Sequence, residues 1–120
     1  MKYMLMMFGD QASMMEMRSM DWVREMITFM GTVNDDLTKS GELVHAFGLA
    51  DASQAKTVRI QDGAPVPTDG PFAESKESLA GYWVVDVESE ARALEIAAHI
   101  VAFTSGPMEV RQVGDDAPEL

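Results

Sequence analysis

Thr68-Asp69-Gly70-Pro71-Phe72-Ala73-Glu74-Ser75-Lys76-Glu77 is the stretch on which the reading of this chain turns. Asp-Gly-Pro bends a backbone: glycine tolerates a positive φ, proline fixes its own φ, and the residue before a proline is pushed away from helix. The turn delivers one bulky apolar anchor, Phe72, and a run of charge, Glu74, Lys76 and Glu77. Directly after it stands the most apolar strand candidate in the chain, Leu79 to Val87. Leu79, Gly81, Trp83, Val85 and Val87 share one face of that strand, and Ala80, Tyr82 and Val84 share the other.

Upstream of the turn, Lys56 to Gln61 alternates Val58 and Ile60 with Thr57, Arg59 and Gln61, Asp62-Gly63 is a hairpin signal, and Ala64-Pro65-Val66-Pro67 is a short return. Two prolines that donate no ladder bond make that return an edge strand. Glu42 to Leu49 reads as another strand, with Leu43, His45, Phe47 and Leu49 on one parity and Val44, Ala46 and Gly48 on the other. Before it, Trp22, Met26, Phe29, Met30, Val33 and Leu37 recur every three or four residues, one helical face, while Arg24, Glu25, Asn34, Asp35 and Lys39 point elsewhere. Lys39 and Gly41 supply the cation and the left-handed cap of its C-terminal end. Ser13-Met14-Met15-Glu16 has capping-box spacing for an earlier helical turn. Lys2 to Phe8 is apolar on both parities, as a strand covered on both sides would be.

Downstream, Glu88-Ser89-Glu90 caps a second helix whose stripe is read as Ala91, Leu94, Ala97, Ala98 and Val101. Gly106-Pro107 breaks the chain before a last strand, Met108 to Val113. Residues 1–113 are therefore expected to form one domain, and residues 114–120 an acidic C-terminal tail. The order strand, helix, strand, hairpin, strand, helix, strand suits an α+β ferredoxin-like sandwich with an inserted β-hairpin and both helices on one sheet face. Strands apolar on both parities would leave the other face exposed, so a homodimer is the expected remedy.

The decapeptide and its surroundings closely resemble the signature of the YCII-related family, in its DGPFAETKE (DGPF) branch, with Ser75 where the branch name has threonine. The resemblance runs from the MKYMLMMFGD start through Gly48-Leu49-Ala50 and Lys56-Thr57-Val58-Arg59 to Glu109-Val110-Arg111. It implies the same fold and a dimeric α/β-barrel type assembly in which two sheets face each other across a cleft. It also implies a setting, since genes of this branch often lie beside those for extracytoplasmic-function sigma factors. The wider family has a His–Asp pair suggested as an active site, its histidine early in the first helix. Here that region, Met14 to Trp22, holds no histidine.

Composition narrows the chemistry. The chain has 120 residues, is 47% hydrophobic and carries a net charge of −11. That charge repels phosphate backbones and anionic membranes, so neither nucleic acid nor a membrane surface is an expected partner. With no cysteine, disulfides, thiolate nucleophiles and cysteine-based metal sites are excluded. No glycine-rich phosphate loop, HExxH or GxSxG occurs. Eight of the eleven methionines fall within the first twenty residues, but soft-metal thioether sites recruit histidine or cysteine as well, and neither is near. No cofactor and no metal are expected. The N-terminus shows no cleavable leader, and a cytoplasmic location is the expectation.

The candidate site follows from the few ionisable and aromatic residues near the expected cleft. Asp69 and His45 are the acid/base candidates. Phe72, Trp22, Glu74, Lys76 and Tyr82 are candidate ligand-binding residues. Each has a structural alternative: Asp69 capping its own turn, Lys76 pairing with its neighbouring glutamates, His45 as a satisfied interior imidazole, and the aromatic residues as core. Two functional readings result. One is a small dimer binding an organic molecule between its sheets, with proton-transfer or hydrolytic chemistry and no redox cofactor. The other is a noncatalytic accessory or regulatory module in which the signature turn is a clasp.

Overall fold

A computed structural model describes residues 1–9, 18–71 and 78–114. The Ser13 capping box, the signature residues Phe72, Glu74 and Lys76, and residues 115–120 of the tail lie outside the described residues. The elements run β1 (Lys2–Phe8), α1 (Met20–Ser40), β2 (Leu43–Gly48), a single 3-10 turn (Ala52–Gln54), β3 (Lys56–Gln61), β4 (Ala64–Asp69), β5 (Leu79–Asp86), α2 (Glu90–Thr104) and β6 (Met108–Gln112).

Four strands form one antiparallel sheet in the order β2-β5-β1-β6, and β3 and β4 pair separately as a two-stranded arm. The sheet is α+β in kind and its strand order is compatible with the ferredoxin-like sandwich expected from the element sequence. Leu5 stands opposite Trp83 on one side and Val110 on the other, and that register builds the core. Tyr3, Leu5, Trp83 and Val85 are buried beneath α1 residues Val33 and Leu37 and α2 residues Ala93, Ile96 and Ile100.

Local chemistry explains the helix ends. The Ser19 hydroxyl accepts the amide of Trp22 at 3.1 Å and starts α1, and Gly41, at φ 79°, ends it by donating its amide to the Leu37 and Thr38 carbonyls. Ser89 does the same for α2, accepting the amide of Arg92. At the arm tip Asp62 and Gly63 both take positive φ, 53° and 81°, the two-residue turn whose twist matches paired strands.

Two sequence expectations are corrected. In α2 the buried stripe is Ala93, Ile96, Ala97 and Ile100, whereas Ala91, Leu94 and Ala98 are exposed. The helix is apolar on most of its circumference, so two stripes share the same three-and-four spacing and periodicity alone does not choose between them. In β2 the simple alternation fails. Leu43 pairs with Val85 while His45 pairs with Val84, so Val44 is an extra residue in a β-bulge. Leu43 and Ala46 therefore pack on the core, and His45 and Phe47 turn to the opposite face.

Among the described residues no helix is long and apolar enough to cross a membrane.

Candidate functional site

The face of the sheet away from the helices carries Met4, Met6 and Phe8 from β1, Ala80, Tyr82 and Val84 from β5, and His45 and Phe47 from β2. Met6, at its centre, is buried; Met4, Phe8, Tyr82 and Val84 are half-buried, and Phe47 is 59% exposed. The bulge at Val44 aims His45 along this face, 6.0 Å from the Phe47 ring, and Phe47 in turn lies 6.3 Å from the Tyr82 ring. His45 and Tyr82 are thus brought to one surface. His45 is exposed there rather than held as an interior imidazole. Among the described residues the charge on this face lies at its edges, where Arg111 and Glu109 form an ion pair at 2.8 Å on the β6 side and Lys2 stands opposite Asp86 where β1 begins and β5 ends.

Asp69 lies elsewhere, at the base of the arm. It closes β4 opposite Lys56 and accepts a charge-assisted hydrogen bond from the Lys56 ammonium at 2.5 Å, with 88% of its own side chain exposed. The arm base is fastened by three further bonds. Gly70 donates its amide to the Ala55 carbonyl at 2.8 Å, the buried Thr57 hydroxyl donates to the Gly70 carbonyl at 2.8 Å, and the Thr68 hydroxyl donates to the Thr57 carbonyl at 3.1 Å. Gly70 takes φ 101°, which only glycine adopts without strain. Beside this base lies an open groove of about 500 Å³ lined by Leu49, Val58, Pro71 and Leu79 among others.

Trp22 is placed in the helix layer and not on the sheet face. Its ring stacks on Phe103 at 5.7 Å, Phe103 stacks on Phe29 at 4.4 Å, and the Arg18 guanidinium sits 4.6 Å from the Trp22 ring centre. His99, exposed on α2, ends this row against Phe29.

Asn34 was expected to point away from the helix stripe, and the structure corrects this. Its side-chain oxygen accepts the indole N–H of buried Trp83 at 2.8 Å. Together they edge an apolar notch of about 270 Å³ with Met30, Ala46, Phe47 and Tyr82. The signal was in the sequence: Asn34 stands four residues after Met30 in the stripe, and a buried tryptophan needs an acceptor. Gly81 keeps the notch narrow, because a Cβ there would meet the Phe47 carbonyl at 3.1 Å.

A polar fastening joins sheet and helix at the far end. Arg92 of α2 donates two bonds of 2.9 Å to the two carboxylate oxygens of Glu42, at the start of β2. The Arg92 guanidinium holds the Glu42 carboxyl below the usual carboxylate range, with burial pulling the other way and Ser40 helping, while Glu42 raises Arg92 further above its already high value.

The family model described as YCII-related domain matches residues 1–115 of this chain. A protein of Rhizobium meliloti (strain 1021), described only as uncharacterized, is 32% identical over 84 residues, which cover 68% of this chain and 68% of that relative.

Proposed function

This chain belongs to the YCII-related family, and from that premise we propose that it works as a homodimer holding a small organic molecule in a cleft between two facing sheets. We assign it to the DGPF branch on the strength of Thr68 to Glu77. The observation that carries the reading is the bare sheet face, where Phe47, Tyr82, Val84, Met4 and Phe8 stay partly or largely in solvent on one side of a sheet whose other side packs under both helices. Apolar surface in one contiguous patch marks a binding surface. His45 is the acid/base group of this cleft, turned to the face of Phe47 and Tyr82 by the Val44 bulge, and the Tyr82 hydroxyl is the hydrogen-bond donor beyond Phe47. A flat, partly apolar ligand with one acceptor would rest its body on the two rings and present its polar end to His45. Phe72, Glu74 and Lys76 of the signature are the further ligand-binding candidates. The chemistry expected of such a set is a proton transfer or a hydrolytic step without a redox cofactor.

The bonding at the arm base supports a second reading for the signature turn itself. Asp69, Thr68 and Gly70 already have partners within the chain, as the parts of a clasp would. On that reading Asp69 is a fastening and the module is noncatalytic. Sedimentation velocity at low micromolar concentration, joined to a thermal-shift screen of metabolites on wild type, His45→Ala and Tyr82→Ala, separates the two. A dimer is expected, with a ligand whose stabilising shift is at least halved in both variants. A ligand that stabilises all three proteins equally would remove His45 and Tyr82 from the site.

A further inference from the structure

The β3–β4 arm is the part of the molecule whose residues and surroundings disagree most. Its register sets Val58 opposite Pro67 and Ile60 opposite Pro65, so four apolar side chains share one face. Val58 is 64% exposed and Ile60 is 70% exposed. An isolated two-stranded hairpin is marginal in water, and the apolar stripe that would stabilise it has no cover among the described residues. The stripe continues at Val58 into the groove with Leu49, Pro71 and Leu79 at the arm base.

We propose that the β3–β4 arm of each protomer packs by its Val58–Ile60 face against the other protomer and closes the end of the cleft that the other protomer's sheet floors. The proposal rests on the facing-sheet dimer argued above and adds what completes it. Two observations choose a second copy of this chain as the occupant.

The first is area. A four-stranded sheet at about 4.8 Å per strand and about 3.3 Å per residue, with strands of this length, offers a footprint of about 400 Å². A stable interface takes about 800 Å² from each partner. The bare face therefore supplies about half of it. The arm, six residues long in each strand, presents a face of about 200 Å² by the same spacings. In a twofold dimer each protomer both gives an arm and receives one, which supplies the remainder.

The second is charge. The chain as a whole carries −11, which opposes association of two copies. The arm and the bare face do not share that excess: Lys2, Lys56, Arg59 and Arg111 stand there against Asp62, Asp69, Asp86 and Glu109. The acidic surplus lies on other parts of the chain, so these are the surfaces on which two copies meet with least repulsion.

The test uses the full-length chain and sedimentation equilibrium across nanomolar to high-micromolar concentration, comparing wild type with the double variant Val58→Asp/Ile60→Asp. Both positions are exposed, so circular dichroism and the dilute-limit urea midpoint should match wild type. The proposal expects a wild-type dimer and a dissociation constant at least 100-fold weaker in the variant. A wild-type dimer with an unchanged constant in the variant overturns the arm contact and leaves the facing-sheet dimer standing. A wild-type monomer overturns both. Hydrogen exchange on the unaltered protein checks the same point without relying on the variant. Amides of Lys56–Gln61 and of Ala64, Val66, Thr68 and Asp69 should be protected above the dissociation constant and should lose that protection on dilution below it, whereas equal protection at both concentrations overturns the contact.

Discussion

The two faces of the central sheet are built from the same strands, residue by residue, and end in opposite environments. On one face Tyr3, Leu5, Trp83 and Val85 are buried under both helices; on the other Met4, Phe8, Tyr82 and Val84 are half-buried and Phe47 stands largely in solvent. Side-chain hydrophobicity does not make that difference, since both sets are apolar. Connectivity does: each helix belongs to a strand–helix–strand crossover of the same hand, and two such crossovers place both helices on one side. What remains is a face that alternation makes apolar and topology leaves bare, and it is that remainder, not the core, that the functional proposal uses.

Truncating one residue on each face separates the two environments most. Leu5 is fully buried, and Leu5→Ala should cost about 3 kcal/mol at any protein concentration, through lost burial and the cavity left behind. Phe47→Asn should cost less than about 1 kcal/mol in the dilute limit, where that side chain is solvated in any case. It should also abolish the rise in stability with concentration that a dimer confers. Urea melts at two concentrations read both numbers. If Phe47→Asn costs as much as Leu5→Ala in dilute solution, the face is not bare and the asymmetry is false.

How much of this was legible in the residues differs from element to element, and for physical reasons. β1 and β5 could be read because each is apolar on both parities, and α1 because Lys39 and Gly41 announce its end. The arm was legible from Asp62-Gly63, although β4 runs on to Asp69, inside the signature, because the Lys56 pair and the Thr68 hydroxyl extend its pairing. The stripe of α2 was misplaced because a helix apolar nearly all round offers two equivalent faces, and only packing against Leu5 and Val85 selects Ile96 and Ile100. The Val44 bulge left no mark in a stretch where both parities are apolar, yet it decides that His45 faces the same side as Tyr82. For the candidate site, then, the residue types were visible and their grouping was not: His45 and Tyr82 share one face on either side of Phe47, Trp22 does not join them, and Asp69 is tied to Lys56.

On the covered side the sheet is fastened to α2 by the Glu42–Arg92 pair, and its loss should have an intermediate effect. Glu42 is 16% exposed and both its oxygens are engaged, so this pair exceeds the usual surface ion pair. Glu42→Gln should cost about 1–2 kcal/mol at pH 7. The sign of its pH dependence follows from the lowered carboxyl pKa. A depressed folded-state pKa contributes stability that is present above the unfolded carboxyl's value and is lost as pH falls through the folded one. The gap between wild type and variant should therefore be constant from pH 8 to about pH 5 and close progressively below about pH 4. Urea midpoints across that range measure it, and a gap that widened in acid would deny the pair its stabilising role.

The smallest effects belong to the arm base, and they separate clasp from site. If Asp69 capped its turn, Asp69→Asn would lower the melting temperature markedly; its partner is instead an exposed lysine across the hairpin, and exposed pairs contribute less than about 1 kcal/mol. Asp69→Asn should accordingly leave the melting temperature nearly unchanged on either reading, and melting alone does not discriminate. Thr57 is the better probe, since it is buried and its hydroxyl alone ties β3 to the Gly70 carbonyl across the turn. Thr57→Val should cost about 1 kcal/mol by stranding that carbonyl. A clasp predicts that Thr57→Val weakens dimerisation together with stability while Asp69→Asn changes neither. A site predicts that Asp69→Asn removes ligand binding at unchanged stability. The two variants together therefore assign the signature turn, because the bond that holds it and the charge that would do chemistry reside on different residues.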